Sequence, residues 1–161
     1  MNEEDASEPA DPLPTYQVNI SKHNIKILGV NNMLRLLAKN VLKAEKCKYS
    51  IVELTLTDDV LLRELNKQYR NLDKTTDVLS FPFEESDFLG EIYISVPQVF
   101  KQSETYSCTP GEELFRVSLH GVLHLLGYDH MTTPQRKVMR SLEAKYTEMF
   151  KQLICEPGAL K

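Results

Sequence analysis

Residues 109–130 read TPGEELFRVSLHGVLHLLGYDH and contain the signals for one complete helix and for the turn that follows it. Thr109 is a typical N-cap residue, Pro110 suits the first helical position, and Glu112 completes a capping box. Apolar residues then recur at helical spacing as far as Leu126. Gly127 is a typical residue at a helix end, because glycine adopts the left-handed conformation at little cost. The segment therefore predicts a helix over 109–126 and a turn at the glycine.

Three of the four histidines of the chain lie in this segment. His120 and His124 are four residues apart, so both imidazoles leave the same helix face, and the turn can bring His130 back toward that face. Three imidazoles without a thiolate suit one Zn²⁺ ion and leave a fourth position for a bound water, whose pKa falls to about 7. The sequence predicts this zinc site, with a purely structural metal as the alternative. The remaining histidine, His23, is interpreted as an ordinary hydrogen-bonded residue.

The spacing of the three histidines equals that of the metzincin proteases, so peptide hydrolysis is the first activity to consider. In those proteases a glutamate that acts as general base follows the first histidine, whereas Gly121 occupies that position here. Loss of a positioned base costs about 100- to 10,000-fold in rate. We therefore favour a reaction that depends on the metal and on charged groups, such as phosphodiester cleavage. Asp129 is a possible catalytic group that orients the water or a histidine, although capping of the turn explains it equally well.

The rest of the chain alternates short strand-like runs with amphipathic helices. Strand patterns occur at 16–20, 51–57, 78–83 and 89–95. Helices are predicted at 30–46, at 58–70 with Thr57 as N-cap, and from Thr133 onward, the last with a buried stripe of Val138, Leu142, Tyr146, Met149 and Leu153. This order predicts an α/β (α+β) fold with helices packed on a small mixed sheet.

Composition predicts one domain, residues 15–161, after a disordered acidic tail, residues 1–14. The tail holds five of the 23 acidic residues and no base, so the remaining 18 acids nearly balance 19 bases. No apolar run is long enough to span a membrane, and the acidic start is unlike a signal peptide, so a cytoplasmic protein is expected. Three widely spaced cysteines (Cys47, Cys108 and Cys155) are interpreted as free thiols.

The segment 117–130 resembles the zinc-binding signature of the YbeY family, the endoribonucleases of ribosomal RNA maturation. Three upstream blocks are also similar to characteristic blocks of that family, in the same order. They are LNKQYR at 65–70, TDVLSFP at 76–82 and LGEI at 89–92. Together these blocks extend the resemblance over nearly all of residues 16–153.

The resemblance implies a four-stranded sheet with about four to six helices and one zinc ion on a helix and its following turn. It also implies single-strand-specific RNA hydrolysis at the 3′ end of 16S rRNA and a role in ribosome quality control. The implied partners are single-stranded RNA, chiefly rRNA, and the small ribosomal subunit with its assembly proteins. No membrane and no DNA partner is expected.

Arg70 matches the arginine that is implicated in the activity of the family. A guanidinium can hold two phosphate oxygens and stabilise charge on a phosphorane, which makes this role physically reasonable. Further basic residues are candidates for RNA contact or for ordinary solvated helix faces: Lys67, Lys74, Arg136, Lys137 and Arg140. Thr75, Thr76 and Asp77 are candidates for lining the cleft or for a simple turn.

Two other functions stay open. A ribosome assembly factor without catalytic activity would use the metal to hold its fold, since a bound ion stabilises the folded state with or without turnover. A zinc protease is the third hypothesis, and Gly121 disfavours it.

Overall fold

The computed structural model describes residues 11–158. Of the predicted disordered tail, residues 1–10 lie outside the described residues, and residues 11–14 form neither helix nor strand. The elements are β1 (Gln17–His23), α1 (Asn31–Ala44), β2 (Ile51–Thr57), α2 (Asp59–Arg70), β3 (Val78–Glu85), β4 (Phe88–Ser95), α3 (Val96–Thr105), α4 (Pro110–Leu125) and α5 (Thr133–Phe150), followed by a 3-10 turn at Lys151–Leu153.

The four strands form one mixed sheet in the order β1-β2-β4-β3. The β1–β2 and β2–β4 pairs are parallel, whereas β3 runs antiparallel to β4. A two-residue turn at Ser86 and Asp87 joins β3 to β4. The predicted fold class is confirmed, with four strands and five α-helices in the described part of the chain.

Helix α4 lies at the centre of the molecule and contacts α1, α3, α5, β3 and β4. Its apolar residues are buried nearly all the way round, as expected for a helix with neighbours on several sides. The capping box predicted at Thr109 and Glu112 is present. The alternating residues Val52, Leu54 and Leu56 of β2 belong to the same core cluster. The element that carries two of the histidines is thus the most firmly enclosed helix of the fold.

Two glycines allow α4 to lie directly on the sheet. A Cβ atom at Gly90 in β4 would be 2.3 Å from the carbonyl oxygen of Phe81 and 2.8 Å from a methyl group of Leu125 on α4. At the middle of the interface, the hydroxyl of Ser80 in β3 donates a hydrogen bond of 2.9 Å to the carbonyl oxygen of Gly121 on α4. The absence of side chains at both glycines permits this close approach.

Two helix caps lie one residue away from the predicted cap, and α1, predicted over 30–46, spans Asn31–Ala44. Asp58, not Thr57, caps α2, and its carboxylate accepts a hydrogen bond from the N–H of Leu61. Thr57 is the last residue of β2 and is buried, so its side chain is not at the helix end. Helix α5 has its capping box at Thr132 and Gln135, and Thr133 is already helical. Both shifts reflect a choice between adjacent residues that are all good caps.

The predicted buried stripe of α5 is partly wrong. Val138 and Met149 are exposed, whereas Met139 and Tyr146 are the buried residues of this helix. The two buried positions are seven residues apart, so α5 rests on the core along a narrow line. Helix α3 was not predicted at all, although Ser95 caps it and a proline lies in its first turn.

None of the helices within residues 11–158 combines the length and the apolar character that crossing a membrane requires. The three cysteines are free, as expected.

We predict that Gly90→Ala destabilises the protein by about 3 kcal/mol or more, because the new methyl group meets a backbone carbonyl that cannot move aside. The matched change Gly121→Ala should cost at most about 1 kcal/mol. There the nearest atoms are side-chain methyl groups, 3.0 Å and 3.1 Å away, and alanine gains about 1 kcal/mol of helix propensity. Urea unfolding followed by circular dichroism measures both changes. Equal stability of Gly90→Ala and wild type would contradict the packing described above.

Candidate metal centre

The structure brings His120, His124 and His130 together at the C-terminal end of α4. His120 and His124 lie on its last two turns. Gly127 then adopts a φ of +96° and reverses the chain, so that His130 returns to the same side. The Nε2 atom of His124 lies 3.0 Å from Nε2 of His120 and 3.1 Å from Nδ1 of His130. The helix spacing and the glycine turn produce this convergence, as the sequence analysis proposed.

The chemistry of this cluster fits a metal ion. One ligand atom from each histidine lies within 4.8 Å of the other two. Nitrogen ligands about 2.0–2.1 Å from a tetrahedral ion lie roughly 3.3 Å apart, close to the spacing seen here. Three ring nitrogens that face one point cannot all be satisfied by hydrogen bonds among themselves, because each neutral imidazole has one donor and one acceptor. A cation at that point satisfies all three lone pairs.

The central histidine is neutral at physiological pH. Burial, together with the neighbouring His120 and His130, lowers the pKa of His124 from 6.5 to about 4. A neutral imidazole presents a free lone pair, which is the form that binds metals.

Glu143 of α5 is a functional residue that the sequence analysis missed. Its carboxylate oxygen Oε1 lies 2.5 Å from Nδ1 of His120. Since a carboxylate only accepts, Nδ1 of His120 carries the proton and Nε2 is left free to face the cluster. The two residues are 23 positions apart, and no local pattern links them. The only sequence signal was an acidic residue on the inner side of a helix that follows the histidines.

Asp129 acts mainly on the turn. Its carboxylate accepts a hydrogen bond of 2.7 Å from the N–H of His130, and the same oxygen lies 3.9 Å from Nδ1 of His130. The side chain thus orients the backbone that carries the third histidine. This contact agrees with the capping alternative, although Asp129 also lines the cleft described next.

A cleft of about 590 Å³ surrounds the cluster. Arg70, the last residue of α2, lines this cleft together with the three histidines. The other lining residues are Leu72, Thr76, Asp77, Val78, Ser80, Asp129 and Met131. The structure therefore places the predicted phosphate-binding arginine and the predicted metal ligands in one open space.

Asp77 is held in place by a polar network behind the cleft. Its carboxylate accepts a hydrogen bond of 3.1 Å from the amide of Gln102 and lies 3.8 Å from the guanidinium of Arg116. Arg116 in turn binds the buried carboxylate of Glu113, which raises the pKa of the arginine. Thr75, by contrast, does not line the cleft, and its hydroxyl donates a hydrogen bond to the carboxylate of Asp59. The network fixes the part of the cleft wall that contains Asp77.

The five other basic residues do not line this cleft. Lys74 borders a separate depression with Arg63 and Thr75. Lys67, Lys137 and Arg140 are exposed on their helices. Arg136 has a structural role that the sequence did not suggest, because its guanidinium donates to the carbonyl oxygens of His130 and Met131 at 3.4 Å and 3.2 Å.

Gly121, which stands where the metzincin proteases have their glutamate, is closely surrounded by side chains of the sheet. A Cβ atom at Gly121 would lie 3.0 Å from Ile92, 3.1 Å from Val78 and 3.4 Å from the Ser80 hydroxyl. Any side chain there, a glutamate included, begins at a Cβ atom that already crowds these neighbours. The close packing of α4 on the strands therefore favours a small residue at this position.

These observations define a small mixed α/β protein with a candidate three-histidine metal centre in an open cleft. The family model described as "Endoribonuclease YbeY" matches residues 15–151. The chain belongs to the YbeY family, and the predicted resemblance is confirmed.

Individual relatives agree with this assignment. The chain is 44% identical over 111 residues to the endoribonuclease YbeY of Sulfurihydrogenibium sp., covering 65% of this chain and 71% of the relative. It is 36% identical over 142 residues to that of Fusobacterium nucleatum, covering 80% and 88%. The fold is similar to the solution structure of TM1509 from Thermotoga maritima, with a TM-score of 0.56 and 26% identity over 84% of this chain and 93% of that one.

We predict that Glu143→Ala weakens metal binding by about 10- to 100-fold, because His120 loses the partner that fixes its orientation and raises its basicity. Glu143→Gln keeps an acceptor without the charge and should lose less. Competition with a chromogenic chelator measures these affinities. The matched control is Glu148→Gln on the same helix, an exposed residue paired with Lys151, which should bind metal as wild type does. Unchanged affinity in Glu143→Ala would exclude this role.

Proposed function

We propose that this chain is a zinc-dependent endoribonuclease that cleaves single-stranded RNA in ribosomal RNA processing. The observation that supports it best is the shared cleft, in which Arg70 and the three histidines face one space. Membership of the YbeY family supports RNA as the substrate. Maturation of the 16S rRNA 3′ end and ribosome quality control are the processes in which we place it.

Zinc is the ion we propose for His120, His124 and His130. Three neutral imidazoles and no thiolate suit this borderline ion, and three protein ligands leave one position open. When bound, zinc supplies a Lewis acid and a water of lowered pKa. Glu143 orients His120, and Asp129 orients the backbone of His130.

Arg70 is the proposed phosphate-binding catalytic residue. Its guanidinium can bind two oxygens of the scissile phosphate and stabilise the charge that develops during displacement. Helix α2 ends at Arg70, and the next residue, Asn71, adopts the left-handed conformation and turns the chain. The cation therefore sits at the rim, where a long RNA strand has access.

Two nucleophiles fit this site. Attack by water gives a 3′-hydroxyl and a 5′-phosphate, whereas attack by the RNA 2′-hydroxyl gives a 2′,3′-cyclic phosphate. Analysis of product ends by mass spectrometry distinguishes them.

The wider setting follows from the same proposal. Residues 15–161 act as a single domain in the cytoplasm, with rRNA, the small ribosomal subunit and its assembly proteins as partners and without DNA or membrane. Outside the cleft, Lys67, Lys74, Lys137 and Arg140 would contribute weak contacts to the RNA backbone. We assign Arg136 to the turn, because its donors already bind backbone carbonyls.

A non-catalytic assembly factor is the second candidate. The carboxylates beside the cleft already have partners, since Asp129 accepts from a backbone N–H and Asp77 from Gln102. No unengaged general base therefore stands out among the described residues that line the cleft. A zinc protease is disfavoured, because Gly121 stands where the required glutamate would be, and the neighbours of that position crowd even a Cβ atom.

We predict that Arg70→Gln lowers the rate of single-stranded RNA cleavage by about 100-fold or more while zinc content is unchanged, because a cation that stabilises the transition state is lost. His124→Ala should abolish both zinc binding and cleavage. The matched control is Arg63→Gln on the same helix. Arg63 pairs with Asp73 at the surface, so this variant should cleave as wild type does. Rates are measured on single-stranded rRNA and on casein, with folding checked by circular dichroism.

Wild-type cleavage rates in both Arg70→Gln and His124→Ala would refute the nuclease proposal. Casein cleavage that depends on His124 would favour the protease. Zinc and RNA binding without turnover of either substrate would favour the assembly factor.

A further inference from the structure

Three apolar side chains line the cleft, and two of them are strongly exposed, whereas the third, Val78, is half-buried. Leu72 and Met131 both line it, and their exposed fractions are 45% and 75%. Most of their neighbours around the cleft are histidines, hydroxyls, carboxylates and Arg70. Exposed apolar side chains contribute little to folding, and those that lie in a binding cleft are placed to contact a ligand.

Both residues are attached to well-fixed backbone. The N–H of Leu72 donates to the carbonyl oxygen of Asn66, just after the left-handed Asn71 that ends α2. The carbonyl oxygen of Met131 accepts from Arg136, and Thr132 caps α5 immediately afterward. The two side chains are therefore presented from defined places at the rim.

Both residues share the cleft with the groups that would hold the reacting phosphate, and each follows one of those groups closely in the chain. Leu72 follows the phosphate-binding Arg70 by two residues, and Met131 follows the metal ligand His130 directly. A phosphate held between Arg70 and the metal would have one apolar side chain near each of its two anchors. The group adjacent to a phosphate in RNA that buries well against apolar surface is the nucleobase.

We propose that Leu72 and Met131 contact an unpaired base next to the scissile phosphate and thereby select single-stranded RNA. This inference rests on the proposed endoribonuclease function. In a duplex the bases are stacked and paired inside the helix, so the two side chains would face only sugar and phosphate. Methionine suits this role, since its flexible, polarisable side chain adapts to different bases. The contact is therefore specific for an exposed base and largely independent of its identity.

The test combines protein variants with RNA that lacks a base. The variants are Leu72→Ser, Met131→Ser and the double substitution. The matched controls are Val60→Ser on α2 and Val138→Ser on α5, two exposed valines outside the cleft. Fluorescence anisotropy of the zinc-loaded protein measures the dissociation constant of a short single-stranded RNA with a non-hydrolysable linkage at its cleavage position, of the same RNA with abasic sites beside that position, and of its duplex. The same zinc-loaded proteins are then assayed for cleavage of the corresponding RNAs with an ordinary phosphodiester at that position.

We expect each single variant to bind single-stranded RNA about three- to tenfold more weakly, as loss of one apolar contact implies. The controls should bind as wild type does. Abasic RNA should bind wild type more weakly by a similar factor, whereas the double variant should not distinguish abasic from intact RNA. Duplex binding should be the same in all proteins, so the preference for single strands falls in the double variant.

An equal abasic penalty in wild type and in the double variant would overturn the inference, as would unchanged affinity in the variants. Absence of RNA binding by wild type would overturn it as well. If the variants and the abasic RNA show the expected losses of affinity but no zinc-loaded protein cleaves RNA, the base contact is supported and the nuclease function is refuted.

Discussion

The close contact between α4 and the sheet is the constraint on which the rest of the structure depends. At Gly90 the helix and the neighbouring strand leave no space for a methyl group, and at Gly121 the neighbouring side chains would have to move by a few tenths of an ångström to admit one. Rigid packing of this kind fixes a helix in both position and rotation. Because His120 and His124 lie one turn apart on α4, the rotation of that helix sets the direction in which both imidazoles point.

The site itself is assembled from segments that are distant in the sequence. Helix α4 contributes two histidines, the turn after it contributes His130, and the end of α2 contributes Arg70. Helix α5 adds no residue to the cleft lining, yet Glu143 and Arg136 on that helix bind His120 and the backbone at His130. The groups that face the cleft and the groups that orient them therefore come from different elements, as is common around metal sites.

Local signals in the sequence were sufficient for much of this structure. The capping box at Thr109, the four-residue histidine spacing and Gly127 all act over a few residues, and each predicted its structure correctly. The prediction of helix caps failed where two adjacent residues are both good caps, as at Thr57 and Asp58. Thr57 is buried at the end of β2, so Asp58 caps the helix instead. The contact of Glu143 with His120 and the part played by Arg136 depend on how α5 docks, and no pattern in a single sequence encodes that docking. Gly121 was interpreted as a missing base, whereas its environment shows a steric cause.

Because α5 packs on the core along a narrow line, how long a bound ion is retained depends on the local stability of this helix. Only Met139 and Tyr146 are buried on this helix, so it has less apolar contact to lose than α4 and should open at a lower free energy. Such an opening would withdraw Glu143 from His120 and Arg136 from the turn at the same moment, while α4 stayed folded. Exchange of the ion with solvent would then follow the undocking rate of one surface helix. Any binding partner that presses α5 onto the domain would slow the loss of metal without touching a ligand.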